Sequence, residues 1–238
     1  MGLFGKKELC PVCGKKVKGD LVLKIKDNVV LCQSCSAQVN MDAALIPLQT
    51  VEDIRQHLVY REQNQDMADR FNVTWSERVG TSYLCVDATR KLWYCTRNRK
   101  DKNPPLLSYE EVVSAVCLED GEPVAEEEKK GAFGRLFGEK TEPKTLHSMK
   151  IHIEVDNPYT KFIDVEAIPV NEEVRTGTMS YKSHRRALNR VMEMLQTMMS
   201  GSGTLPEEAA DIPPEVTAEE TFPADTAEEF AAGEIPEE

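Results

Sequence analysis

The apolar positions change period along the chain, and each change marks a boundary. Leu21-Val22-Leu23-Lys24-Ile25, the polar pair Asp27-Asn28 and Val29-Val30-Leu31 predict two short strands joined by a turn. Ser36 to Leu45 predicts a short helix ended by Pro47. Thr50 stands as an N-cap with the carboxylate of Asp53 three residues on, so a helix is expected from there to about Arg70. Val51, Ile54 and Leu58 form its apolar stripe, while Arg55, Arg61, Glu62, Asp66 and Asp69 are charged. That pattern predicts a connector helix packed along one stripe, with His57 at its surface.

From Val79 the period becomes two. Ser82–Val86 and Lys91–Cys95 flank Asp87-Ala88-Thr89-Arg90 and predict a hairpin. Val112 to Leu118 predicts a further strand, after Ser108-Tyr109-Glu110-Glu111. Ile151, Ile153 and Val155 alternate with His152 and Glu154, and a turn at Asp156–Tyr159 leads into Phe162 to Ile168. Leu188, Val191, Met192, Leu195, Met198 and Met199 then recur at helical spacing. This methionine-rich stripe is expected to close the sheet. The fold class is therefore α+β, with an antiparallel β domain capped by a C-terminal amphipathic helix.

Cysteine spacing adds the chemistry. Cys10-Pro-Val-Cys13 and Cys32-Gln-Ser-Cys35 form two C-x2-C pairs around a predicted hairpin, the spacing of a structural zinc site. Gly14 supplies the positive φ that such a knuckle needs. Knuckle, hairpin, knuckle and helix describe a zinc ribbon or a treble clef. A segment this short cannot bury enough apolar surface to fold unaided, and four thiolates fill the coordination sphere, leaving no position for a water nucleophile. One structural Zn(II) on Cys10, Cys13, Cys32 and Cys35 is expected, with iron in a rubredoxin-like site as the alternative metal.

Cys85, Cys95 and Cys117 lie on predicted strands. With the hairpin centred on Ala88-Thr89, Cys85 faces Leu92 and Cys95 faces Ser82, which separates the thiols by roughly 10 Å. A disulfide needs α-carbons within about 7 Å, so core thiols are expected. His147, His152 and His184 are scattered, and neither an acid–base pair nor a glycine-rich phosphate loop is visible, so no enzyme is expected.

Charge narrows the partners. The net charge is −12, yet residues 201–238 hold twelve Asp or Glu and no Lys or Arg, leaving residues 1–200 with 29 charges of each sign. That segment, with five prolines, predicts an unstructured acidic tail over 200–238. Lys6, Lys7, Lys15, Lys16, Lys18, Lys24 and Lys26 make the zinc module basic and raise a nucleic-acid alternative. DNA-reading fingers of similar spacing follow their second cysteine pair with basic residues. Here Ser36 to Asp42 has none, so a solvated lysine face is expected. No apolar run reaches the ~18–20 residues of a membrane span, nor does the N-terminus show a signal-peptide core, which points to the cytoplasm. Residues 121–145 predict a flexible insertion. Phe133 and Phe137 within it could dock a partner or a membrane surface, or tuck onto the domain.

Two resemblances follow from these residues. Tyr94, a polar turn and Leu107-Ser108-Tyr109-Glu110-Glu111-Val112 through Val116 resemble the segment of bacterial pleckstrin-homology-like (PH-like) domains in which a tyrosine-containing turn leads into an edge strand. That implies a curved sheet capped by a helix. From Met1-Gly2-Leu3-Phe4-Gly5-Lys6-Lys7, through the cysteine pairs, Val51–Ile54, Tyr60–Glu62 and Phe71–Thr74, to Asn157-Pro158-Tyr159, the chain is similar to an uncharacterised bacterial domain-of-unknown-function family. Its members combine a four-cysteine zinc module, a helical connector and a PH-like domain. The acidic tail departs from that pattern. The family has no assigned function. The chain is therefore read as a zinc module at 1–46, a connector at 50–70 and a β domain at 72–199, acting in protein recognition through a sheet edge or the zinc-module face.

Overall fold

The computed structural model describes residues 9–17, 23–124, 143–169 and 171–201. Phe133, Phe137 and the tail from 202 onward therefore lie outside the described residues. In chain order the elements are α1 (Gln33–Ser36), α2 (Val51–Ala68), β1 (Trp75–Val79), β2 (Ser82–Asp87), β3 (Leu92–Thr96) and β4 (Leu107–Ser108). They continue with β5 (Val112–Glu119), β6 (Glu122–Pro123), β7 (Thr145–Leu146), β8 (Met149–Val155), β9 (Phe162–Glu166), β10 (Val174–Arg175) and α3 (Met179–Met199).

Strands β1-β2-β3-β4 form one antiparallel sheet and β6-β5-β8-β9 a second, with β7 and β10 as a separate pair. Helix α3 packs against both β1 and β5, so it closes the gap between the sheets. Leu188, Val191, Met194, Leu195 and Met198 are its buried positions. They meet Trp75, Leu84, Val86 and Trp93 of the first sheet and Ile151, Ile153 and Val165 of the second in one core. Helical and strand periods thus supply complementary apolar faces, as the α+β reading requires. The β1–β2 turn meets the end of β9 where the sheets adjoin: Gly80 has φ 54°, and a Cβ there would collide with the Glu166 carbonyl oxygen.

Several expectations need correction. Strand β1 was hidden because Ser76, Glu77 and Arg78 are polar. Arg190 of α3 explains Glu77, donating from Nε and Nη2 to its carboxylate at 2.8 and 2.7 Å. The β2–β3 loop spans Ala88 to Lys91, one residue further than expected, because Lys91 takes φ 53°. Cys85 therefore pairs with Tyr94 and Cys95 with Leu84. As adjacent pairs on a pleated ladder, Cys85 and Cys95 face opposite sides of the sheet, which is why they are free thiols. The predicted insertion is narrower than 121–145. Glu122–Pro123 pairs with β5 through a tight turn in which Asp120 and Gly121 have φ 49° and 86°, and Thr145–Leu146 belongs to β7.

Near the N-terminus, Leu21 and Val22 of the expected hairpin lie outside the described residues. Its described part pairs through the bridge of Lys24 with Val30, with Leu31 N–H donating to the Leu23 carbonyl and Ile25 N–H to the Val29 carbonyl, both at 3.0 Å. Its turn forms as predicted, with Asp27 and Asn28 at φ 60° and 57°. The helix expected over Ser36–Leu45 is replaced by the four-residue α1, and Pro47 falls inside a short 3-10 turn, Ile46–Leu48. Tertiary bonds take over where helical ones stop. Asn40 N–H donates to His57 Nε2 at 3.0 Å, and Asp42 N–H donates to the Tyr159 carbonyl at 2.9 Å. Lys161 N–H in turn donates to Asp42 Oδ2 at 2.7 Å.

Helix α2 begins as predicted, with a complete capping box between Thr50 and Asp53. It is more than a connector packed on one stripe. Ile54, with Val51 and Leu58 beside it, belongs to the core of the N-terminal lobe. One turn on, a polar stripe faces the β lobe. Asn64 donates to the Pro104 carbonyl at 2.7 Å and to the Asn103 side chain, and accepts from Leu106 N–H at 2.9 Å. Arg61 donates to the Asn103 carbonyl.

His57, expected at the surface, is fully buried between the lobes, its ring 4.4 Å from that of Tyr159. Because Nε2 accepts from Asn40, Nδ1 carries the proton, and no described group accepts it. Burial, and next the Arg61 charge, push His57 down to about 4 from its ordinary 6.5. The unfolded chain therefore binds a proton between pH 6.5 and 4 that the folded chain refuses, so stability is full above pH 6.5 and falls as pH drops to 4. Denaturant titration across that window should show a loss of about 3 kcal/mol that His57→Gln, which retains an acceptor for Asn40, does not show. Equal pH slopes for both proteins would contradict the assignment.

Candidate metal centre

Two backbone devices bring the thiols together. In the first knuckle, Cys10 N–H donates to the Lys15 carbonyl at 2.8 Å and Gly14 N–H to the Cys10 carbonyl at 2.7 Å. Gly14 has φ +71° with open space around it, so its backbone conformation is the reason for glycine there. In the second, Cys32 precedes α1 in extended conformation and its carbonyl accepts from Ser36 N–H at 2.9 Å. The short helix turns Cys35 back toward Cys32.

Ligand atoms of Cys10, Cys13, Cys32 and Cys35 all lie within 4.8 Å of one another. Cys13 Sγ and Cys32 Sγ are 3.4 Å apart. A tetrahedral ion with metal–sulfur bonds of about 2.3 Å needs sulfurs about 3.8 Å apart. The four predicted ligands thus form one cluster that fits one metal ion. Cys10, Cys32 and Cys35 are buried and Cys13 is exposed.

The thiols titrate unequally. Burial alone would raise Cys10, but the backbone amides of Cys32, Cys13 and Val12 donate to its sulfur and bring it down to about 6. Cys35 is pushed far up, first by burial and then by its hydrogen bonds with Cys13, Cys32 and Cys10. The Cys10 thiolate forms readily, and its charge opposes ionisation of Cys35. A divalent cation reverses that opposition and favours four thiolates.

Around the cluster the described residues bury few side chains fully, with Val12, Val17, Leu23, Val29, Val39 and others only partly buried against it. The buried aliphatic side chains of the lobe are Ile25, Leu31 and, from α2, Ile54. Arg55 of α2 also donates to the Pro11 carbonyl at 2.8 Å, tying the first knuckle to the helix. Lys15, Lys16, Lys24 and Lys26 are exposed, as a solvated face requires. The expected core thiols fare differently. Cys85 is buried, whereas Cys95 and the half-buried Cys117 sit at the edge of the core, the last accepting from Arg185 Nη1 at 3.3 Å. His152 is hydrogen-bonded to Asp164 and His184 to Ser180. Neither joins the cysteine cluster.

Sequence reasoning missed Asp42, His57 and Tyr159, which attach the metal lobe to the β lobe. The available signal was the continuation of the Ile54 stripe through positions 57, 61 and 64. No family model, curated protein or solved structure matches this chain. What stands of the resemblance is the four-cysteine cluster followed by antiparallel sheets capped by a C-terminal helix. Among the described residues no helix is long and apolar enough to cross a membrane.

Because Asp42 bonds to Tyr159 and Lys161, metal loss should be felt beyond the cysteines. Chelation is expected to raise amide exchange at Leu23–Leu31, at Asn40–Asp42 and also at Tyr159–Lys161, while the centres of β5 and β8 stay protected. Unchanged exchange at Tyr159–Lys161 in metal-free protein would show that the two lobes are uncoupled.

Proposed function

We propose that this protein is a non-catalytic protein-interaction module whose N-terminal lobe is braced by one structural zinc ion. The observation carrying the reading is the closed set of four sulfurs. Zinc held by four thiolates has no position left for water or substrate, so its contribution is folding energy, about 10–16 kcal/mol in small zinc domains. Thiolate ligands favour zinc among the abundant divalent ions and require a reducing compartment, in keeping with the cytoplasm.

Binding then falls to surfaces displayed by the braced scaffold. Strand β9 is the outer strand of the second sheet, with Phe162 54% exposed, and an outer strand offers backbone groups to an added peptide strand. The exposed face of the zinc lobe is the other surface. The two-sheet, one-helix layout supports the PH-like comparison, in which a scaffold presents edges and loops to partners. A nucleic-acid role for the exposed lysines is the competing reading.

Two measurements test this. Elemental analysis should return one zinc per chain, and Cys32→Ser with Cys35→Ser should abolish it while the β lobe remains folded. Partners captured from the native cell should rebind when purified, with an affinity that survives moderate salt. Tight binding of DNA or RNA that falls steeply with salt would replace the proposal with the nucleic-acid reading.

A further inference from the structure

Away from the cysteines, the end of α2, the segment after it and the loop before β4 enclose a cleft of about 480 Å³. That size lies in the range of small-ligand sites. Phe71, Val73, Tyr94 and Pro104 give it an apolar lining, and Asp69 and Asp101 stand at it as carboxylates. The rings of Phe71 and Tyr94 meet edge to face, 5.0 Å between centroids. Gln65 Nε2 pins the walls together, donating to Asp69 Oδ1 at 2.7 Å and to the Lys102 carbonyl at 2.9 Å. Asp101 Oδ1 accepts from Asn103 N–H at 3.0 Å, and Asn103 is itself held by Arg61 and Asn64. The cleft is therefore built by hydrogen bonds already in place.

Its electrostatics run against helix stability. Asp69 is the C-cap of α2, whose last turn carries no basic residue. A carboxylate there faces the negative end of the helix dipole, the opposite of the stabilising arrangement. Among the described residues neither Asp69 nor Asp101 has a cation within ion-pair distance, although Lys102 also lines the cleft. Arg61 acts on Asp101, and Arg99 on Tyr94, only at longer range. Two carboxylates with no ion pair among the described residues, a helix C-terminus and two aromatic rings thus converge on one space.

From this juxtaposition we infer that the cleft receives a basic side chain, lysine or arginine, of a partner protein. The apolar lining takes the methylene stem, the rings of Phe71 and Tyr94 attract the cationic head, and the free oxygens of Asp69 and Asp101 complete its neutralisation. An acidic or neutral ligand would leave the carboxylates opposed. The inference rests on reading the chain as a protein-binding module and adds the chemistry of the partner.

The test uses the full-length, zinc-loaded chain and three short peptides, Ac-Gly-Lys-Gly-NH2, Ac-Gly-Arg-Gly-NH2 and the ε-acetylated form of the first, titrated by NMR. The basic peptides should shift the ring signals of Phe71 and Tyr94 and the methyls of Ala68 and Val73. The neutral acetyl-lysine peptide should not. Asp69→Asn with Asp101→Asn, which leaves the Gln65 and Asn103 hydrogen bonds an oxygen acceptor, should weaken binding at least tenfold. Equal shifts with the neutral peptide, shifts confined to other surfaces, or full affinity in the double variant would each overturn the inference. Rebinding of partners captured from the native cell, measured with the unaltered chain, reports separately on the protein-binding reading, so failure of one is distinguishable from failure of the other.

Discussion

Four sulfur atoms must share one small volume before the N-terminal lobe has an inside. Among the described residues its other buried hydrophobic side chains are Ile25, Leu31 and Ile54, each worth about 1.5–3 kcal/mol, with nine more only partly buried against them, while every residue of the irregular chain costs about 1–2 kcal/mol to order. One of the three comes from α2, outside the cysteine region altogether. The N-terminal lobe is thus closed by the four-sulfur cluster on one side and by a helix on the other. The capping box that starts α2 fixes where Ile54 will point.

The same helix then changes character. From His57 on, its inward polar positions are His57, Arg61 and Asn64, and the neighbours they meet are Asn40, Asn103, Pro104 and Leu106. An apolar seam would bury more area but would tolerate sliding. A seam of directional hydrogen bonds permits one register, and each bond in it becomes costly to break because the partner left behind is buried. Asp42 extends the seam to the β8–β9 turn, where Asn157 donates to Glu111 at 2.7 Å and organises the turn through its own side-chain oxygen. The two lobes are consequently joined through specific polar contacts rather than through a shared apolar core.

What could be read from the sequence was chemistry that acts locally. The cysteine pairs, Gly14, the Asp27-Asn28 turn, the Thr50 cap and the stripe of α3 each depend on residues within one or two turns. What could not be read depended on distant partners. His57 looked exposed because its acceptor role is set by Asn40 and its burial by Tyr159. Strand β1 showed no readable alternation because its polar Glu77 is neutralised by Arg190, more than a hundred residues away. Register in β2–β3 hinged on a single positive φ at Lys91, a residue type that gives no warning of it.

Charge placement gives the chain two electrostatic scales. Across residues 1–200 the charges cancel, so the folded part exerts little long-range field, and any attraction it offers must be local. The cleft beside Asp69 is local in this sense: its carboxylates are set against a helix end and aromatic rings, where a cation is partly desolvated and held. The twelve carboxylates of 201–238 have no Lys or Arg among them and set a negative field at the other scale. Long-range attraction governs how often a partner arrives, and short-range desolvated contact governs how long it stays. A chain that separates these two functions can alter one by sequence change in the tail without disturbing the scaffold that supports the other.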